Sequence, residues 1–221
     1  MVSLIGFSLG GSGANRALGR ILEVLQSADR ANPNFDIRSR VASGGRVRGS
    51  LLRKVKPAPT GDEIGRIFRL YLRKSKKFIY RVAGGRVLHS RAEINTSLVS
   101  EVRGAKLDVV VANWFGDYTD SIEELGKVRV PLILRNGDMW WFQGSKHFVN
   151  PPGMPLSRWQ RFLEWLFFGR EDTDTRERKK KHLYPVVSAT VSPSPWMTQQ
   201  VVDSGLMPHA SCDSCDNPKP A

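Results

Sequence analysis

The sequence predicts a three-layer α/β domain built on a mainly parallel sheet, and three observations lead there. Short β-like runs alternate with stretches of helical period along the 221 residues. Two of those runs, 107–112 and 131–134, are apolar apart from Asp108, as strands covered on both faces are. A glycine cluster at 10–13 joins the first run to the first helical stretch. With 40% hydrophobic residues, the chain can bury one sizeable core.

Taken in order, residues 2–8 read as a strand, and Ala17/Leu18, Ile21/Leu22 and Leu25 recur at helical spacing over 14–26. Asn32-Pro33-Asn34 marks a turn before a second strand at 35–41. Residues 44–60, rich in Gly, Pro and Arg, show no period and read as a basic loop. From 62 to 82 the apolar residues Ile64, Ile67/Phe68, Tyr71/Leu72 and Phe78/Ile79 return every three to four positions. Arg66, Arg69, Arg73, Lys74, Lys76 and Lys77 lie between them, which predicts an amphipathic basic helix. Helices are expected at 92–103, 121–127 and 155–168, with 171–182 charged and exposed. A strand at 186–191 precedes Ser192-Pro193-Ser194-Pro195, where serine before proline suits a helix N-cap and first turn, and Gly205 is placed to end that helix.

Net charge is +13, but it is concentrated. Residues 37–91 hold sixteen Lys or Arg against Asp62 and Glu63, a local +14, so the remainder sums to −1. Such a block reads either as a solvated face or as a docking surface for an anionic partner. Its aromatic residues sit on the apolar side of a helix and form no spaced base-stacking platform, so a membrane surface ranks above nucleic acid. Cys212 and Cys215 both lie near the end of the chain and cannot staple the preceding fold. With His209 they lack a fourth ligand, so no metal is expected. The opening residues lack a basic n-region and an h-region of adequate length, which predicts a cytoplasmic protein, peripheral to the membrane if the basic helix docks.

Two segments carry candidate chemistry. Gly10, Gly11 and Gly13, at the start of a helix, would let backbone N–H groups approach a phosphate, or form a tight turn without a ligand. Arg16 stands where a dinucleotide fingerprint would have its third glycine. The second segment, 135–155, is a long aromatic loop past a strand end, the edge where parallel sheets place ligands. Trp140 and Trp141 could offer apolar faces to a sugar ring or belong to the core. Asp138 could bond an acceptor hydroxyl or cap the loop. His147 could move a proton or hold the loop.

These residues resemble a known family in four ordered places. The segment Gly10-Gly11-Ser12-Gly13-Ala14-Asn15-Arg16-Ala17 is similar to the glycine loop of family-4 retaining glycosyltransferases. Ser121-Ile122-Glu123-Glu124-Leu125-Gly126-Lys127, then Pro131, is similar to the element before their fourth strand. Asp138-Met139-Trp140-Trp141-Phe142-Gln143-Gly144 with His147-Phe148 resembles the Asp-Met-Trp-Pro-Phe-Thr-Gly segment and downstream His-Tyr of a polysaccharide-building subgroup. Val191-Ser192-Pro193-Ser194-Pro195-Trp196-Met197 looks like their Ala-Pro-Ser-x-Trp turn.

The resemblance implies that residues 1–206 are the amino-terminal, acceptor-side Rossmann-like half of a GT-B fold. It implies a nucleotide sugar as substrate, no separate cofactor, and a glycan or lipid-linked acceptor. Gly10, Gly11 and Gly13 would face the donor phosphate, Asp138, Trp140 and Trp141 the acceptor, with His147 as the catalytic candidate. Gly137 and Asn113 stand where the family usually has histidines, which leaves His147 or His89 to substitute, or a copy without chemistry. Residues 207–221 read as an irregular tail in place of the family's linker to its donor-binding half. One permitted codon choice for 212–220, read one nucleotide later, gives Val-Thr-Val-Val-Ile-Thr-Pro-Asn-Pro, so a frameshifted or prematurely stopped gene is expected. The second expectation, from another class, is a noncatalytic basic module docking to an anionic membrane or nucleic acid.

Overall fold

A computed structural model describes residues 2–8, 37–43, 52–53, 63–85, 87–93, 108–113, 121–148, 156–207 and 211–214, with single helical positions between 20 and 30. Gly10, Gly11 and Gly13, the helix expected at 92–103 beyond residue 93, His209 and Cys215 lie outside the described residues.

The fold is α/β, and every strand pair is parallel. The strands β1 (Val2–Ser8), β2 (Ile37–Ser43) and β3 (Leu52–Arg53) form one sheet in the order β1-β2-β3. A second sheet runs β4 (Val110–Ala112), β5 (Leu132–Arg135), β6 (Val187–Ser192), β7 (Ser211–Ser214). β1 lies beside β4. Two strands fall where the sequence suggested irregular chain: β3 inside the expected basic loop, and β7 inside the expected tail, where Thr190 pairs with Cys212. Parallel pairing at a sheet edge needs only backbone N–H and C=O groups, so a short edge strand leaves no apolar period to read.

Helix α1 (Glu63–Val82) follows the three-to-four period and stops where Gly84 takes a left-handed φ of 92°, as Gly84 N–H and Gly85 N–H bond back to Arg81 O and Tyr80 O. The short α2 (Ile122–Leu125) starts at Ser121, whose Oγ accepts from Glu124 N at 3.2 Å. Helix α3 (Arg158–Arg178) opens with a capping box in which Ser157 and Gln160 satisfy each other's backbone N–H. α4 (Pro195–Ser204) opens on the Ser194 cap with Pro195 in its first turn and closes on Gly205 at φ 61°, as its sequence requires.

Helix α3 corrects the sequence reading of 171–182 as an exposed charged stretch. It continues through Arg178 and then widens into a π-helical turn, Lys179–Leu183, and a 3-10 turn, Tyr184–Val186. Its core-facing row passes from Phe168 to Thr175, Lys179 and Leu183, all buried. Two of those positions are polar, so the apolar period ends at 168 although the helix does not. The main core joins β4, β5 and β6 to Ile122, Leu125, Trp140, Trp141, Phe142, Leu183 and Met197.

Candidate functional site

The segment 136–148 leaves the carboxyl end of β5 and folds against residues 88–90 and the last turns of α3. Asn136 N–H bonds Val191 O at 2.8 Å, tying the loop's origin to β6, and His147 N–H bonds Leu88 O at 3.0 Å, tying its end to the 88–90 segment. His89 and Lys146 form an antiparallel bridge there, and Ser90 N–H donates to Ser145 O at 2.8 Å.

Asp138 organises the loop from inside. Its Oδ1 accepts from Trp140 N at 3.0 Å, a local Asx-type turn, and its Oδ2 lies 2.6 Å from His147 Nδ1. His147 Nε2 lies 2.8 Å from Ser90 Oγ. These contacts suit the imidazole tautomer that donates from Nδ1 to Asp138 and accepts the Ser90 hydroxyl at Nε2. In an open cleft this serine–histidine–aspartate relay would activate a nucleophile. Here all three side chains belong to residues no more than 5% exposed, so the relay locks two loops together. His147 is therefore a buried group that holds the loop through Asp138 and Ser90.

Trp140 and Trp141 are likewise core, the second of the two readings their sequence left open. Trp140 Nε1 donates to Ser90 O at 2.9 Å, and Trp141 Nε1 to Arg135 O at 3.1 Å. Tyr184 OH donates to Trp141 O at 3.1 Å, and burial pushes that phenol's pKa up. Both indoles thus satisfy their only polar atom internally, the condition for burying a tryptophan.

The residue that sequence reasoning missed most completely is Lys179. Its Nζ donates to Trp140 O, to Gly144 O at 2.7 Å and to Gln143 O at 3.1 Å, and it sits 3.4 Å from the centroid of the Trp140 ring. Three acceptors match the three protons of an ammonium group. Burial holds the pKa well below the ordinary lysine value, while Asp138 and Asp172 pull it back up. The charge run 178–181 gave no sign that one lysine faces inward; the π-turn that aims it is a tertiary feature. Gly144 meets the same helix so closely that a Cβ on it would overlap the backbone oxygen of Asp172.

His89 stacks on Phe168 with centroids 4.0 Å apart, and Tyr80 meets its edge. Ser145 donates N–H and hydroxyl to Asp172 Oδ1, so its Oγ accepts from His89 Nδ1 at 2.8 Å, which leaves His89 Nε2 buried with no bonded partner among the described residues. Burial lowers its pKa to about 3, outweighing the opposing field of Asp172. It is a neutral core group; Asn113 and Gly137 are the two positions where the resemblance would imply histidine.

At those two positions the structure has something else. Arg135 Nη1 donates to Asn113 Oδ1 at 2.9 Å, bridging the carboxyl ends of β4 and β5. A Cβ built on exposed Gly137 would lie 3.7 Å from that guanidinium nitrogen, an ordinary contact. Beside it, Asn136 Nδ2 donates to Ser192 Oγ at 3.1 Å, while its buried Oδ1 has no partner among the described residues. Their sequence signal is that they close the apolar run of β5 at the edge where parallel sheets bind ligands.

On α1, Lys74 is exposed, but Lys76 turns toward α3, pairing with Glu171 at 2.5 Å and lying 5.0 Å from the Phe168 centroid, which removes it from the expected docking face. Lys77 is half-buried, and the side chains of Arg66, Arg69 and Arg73 lie outside the described residues. No described helix is long and apolar enough to cross a membrane. No protein-family model matches the chain, and no curated protein matches it.

Proposed function

We propose that this chain is the acceptor-side, Rossmann-like half of a GT-B glycosyltransferase of the family-4 type. In that reaction the bond from the sugar's anomeric carbon to a nucleoside diphosphate breaks, and a bond to an acceptor hydroxyl of a glycan or lipid-linked glycan forms. The observation that carries the reading is the order of the strands. The series β3-β2-β1 continues beside β4-β5-β6-β7, with all pairings parallel, and a doubly wound sheet has this order. Its order reverses between β1 and β4, so ligands are expected outside the carboxyl ends of those strands. The glycine cluster follows β1 in sequence, and Asn113 with Arg135 closes β4 and β5.

Transfer needs orientation of the hydroxyl and positive potential near the departing diphosphate. Arg135, half-buried and steadied by Asn113, supplies the potential at this edge. The buried relay of Asp138, His147 and Ser90, together with Lys179, supplies a rigid floor beneath it. The test uses the longest product encoded at the locus, incubated with radiolabelled uridine and guanosine diphosphate sugars and a lipid extract as acceptor source. Residues 1–221 alone should show negligible transfer. In the longest product, Arg135→Gln should lower turnover per folded molecule about a hundredfold, the usual effect of removing one electrostatic stabiliser, beyond any loss of stability from the bond to Asn113. Absence of transfer from every donor, or of a second Rossmann-like pattern in any downstream frame, would overturn the proposal.

A further inference from the structure

We propose that the outward face of α3, with neighbouring side chains of α1, inserts into the headgroup layer of an anionic phospholipid bilayer. The inference does not depend on the transferase reading. It extends the docking expected for α1 alone to a helix whose sequence gave no such expectation.

Helices α1 and α3 pack antiparallel through Tyr80, Leu163 and Phe168, with Lys76 on Glu171 at one end and Gln160 Nε2 on Gly84 O, 3.1 Å, at the other. That contact and the main core use the inner sides of α3. Its outer side carries Trp159, Phe162, Trp165 and Leu166, which are 59%, 46%, 69% and 56% exposed. The spacing places them on one stripe. Trp159 stacks on Phe162 at 5.7 Å, and Phe162 meets Trp165 at 6.1 Å, so the rings form a continuous surface. Trp165 leans over Gly169, where a Cβ would stand only 3.2 Å from the indole. On α1, Tyr71, Leu72, Phe78, Ile79 and Val82 are also exposed.

The charge around these side chains selects the occupant. Between 157 and 170 the exposed charged residues are Arg158, Arg161 and Arg170, and the single acid, Glu164, is buried and paired with Lys146 at 2.6 Å. The described exposed charges on α1 are Lys74 and Arg81, and no acid occurs from 64 to 82. Of the exposed acids of α3, Glu177 pairs with Lys180, and Asp174, which shares a surface pocket with Trp165, Leu166 and Arg170, pairs with Arg91. Tryptophan and arginine beside carboxylates that are each paired with a base fit the interface of an anionic membrane: the indole prefers headgroup depth, and the guanidinium stays at the phosphates. The face is amphipathic, so the protein would lie on the bilayer.

The test is flotation of the 221-residue chain with vesicles of phosphatidylcholine alone, or of phosphatidylcholine and phosphatidylglycerol in equal parts. Binding is expected to the anionic vesicles and to weaken with salt. Replacing Arg158, Arg161 and Arg170 by Gln should weaken it about a hundredfold, since each such charge is worth roughly fivefold near an anionic surface. The variant Trp159→Ser/Phe162→Ser/Trp165→Ser should lose binding with an unchanged melting temperature, because those side chains are exposed. In the unaltered chain, brominated phosphatidylcholine in the mixed vesicles should quench tryptophan emission, and in that variant it should not. Undiminished vesicle binding by the aromatic variant would overturn the proposal. So would failure to bind anionic vesicles accompanied by self-association that this variant abolishes, which would make the face a protein interface.

Discussion

Replacing Lys179 by methionine tests whether the aromatic loop is held from beneath by one buried ammonium group. Methionine keeps a similar unbranched stem but donates nothing to Trp140 O, Gln143 O and Gly144 O, which now depend on Nζ. A hydrogen bond from a charged donor contributes roughly 1.5–3 kcal/mol, and a carbonyl left unpaired in the interior costs roughly 1–3 kcal/mol. Against this, the variant no longer has to desolvate a charge, a term of several kcal/mol. Relaxation of the loop and entry of water recover part of the rest. A net loss of about 1–3 kcal/mol is expected, the range for leaving buried acceptors without their donor. Urea unfolding followed by tryptophan fluorescence measures it directly. The pH dependence has a definite sign. Because the folded-state pKa lies below the ordinary 10.5, the unfolded chain holds more protons in the interval between the two values. Lys179 therefore makes stability rise with pH through that interval until about 10.5, and the variant should lack this rise. If Lys179→Met is as stable as the unaltered chain, desolvation outweighs the three acceptors, and the loop is not held this way.

Trp140→Ala should cost about 3–5 kcal/mol in the same assay, as large aromatic truncations in cores do; unchanged unfolding would return Trp140 to the acceptor surface. Gly144→Ala should cost about 1–3 kcal/mol or more, because the added carbon meets the backbone of Asp172 and the helix must shift; differential scanning calorimetry reads it, and an unchanged melting temperature would mean that the loop does not abut α3 there. His89, with its pKa lowered from 6.5 to about 3, favours the folded state fully above pH 6.5 and loses that contribution as the pH falls toward 3. At pH 4.5 the loss should reach about 2–3 kcal/mol at 1.36 kcal/mol per pH unit, and His89→Gln should flatten this part of the stability curve even if its absolute stability is lower. Identical slopes for the two proteins would contradict a neutral, buried His89.

The sequence by itself determined the elements whose signals are local. β1, α1, the Ser121 and Ser194 caps, the Gly205 stop and the apolar strands β4 and β5 depend on spacing, capping hydroxyls and glycine's access to positive φ, all of which are present within a few residues. It also placed Asp138 and His147 in one loop, although it left open whether they meet a ligand or hold the loop. The tertiary structure decided that question, because burial depends on what residues distant in sequence bring: Ser90 to His147, Tyr184 to Trp141, and Asp172 to Ser145. The inward aim of Lys179 belongs to the same class. A lysine in a run of basic residues is read as solvated unless a π-turn happens to point it at three backbone carbonyls, and nothing local encodes those carbonyls. The stripe of Trp159, Phe162, Trp165 and Leu166 gives the converse case. Helical spacing marks it as one apolar face, but only the packing of Leu163 and Phe168 against α1 shows that this face is the one left outside.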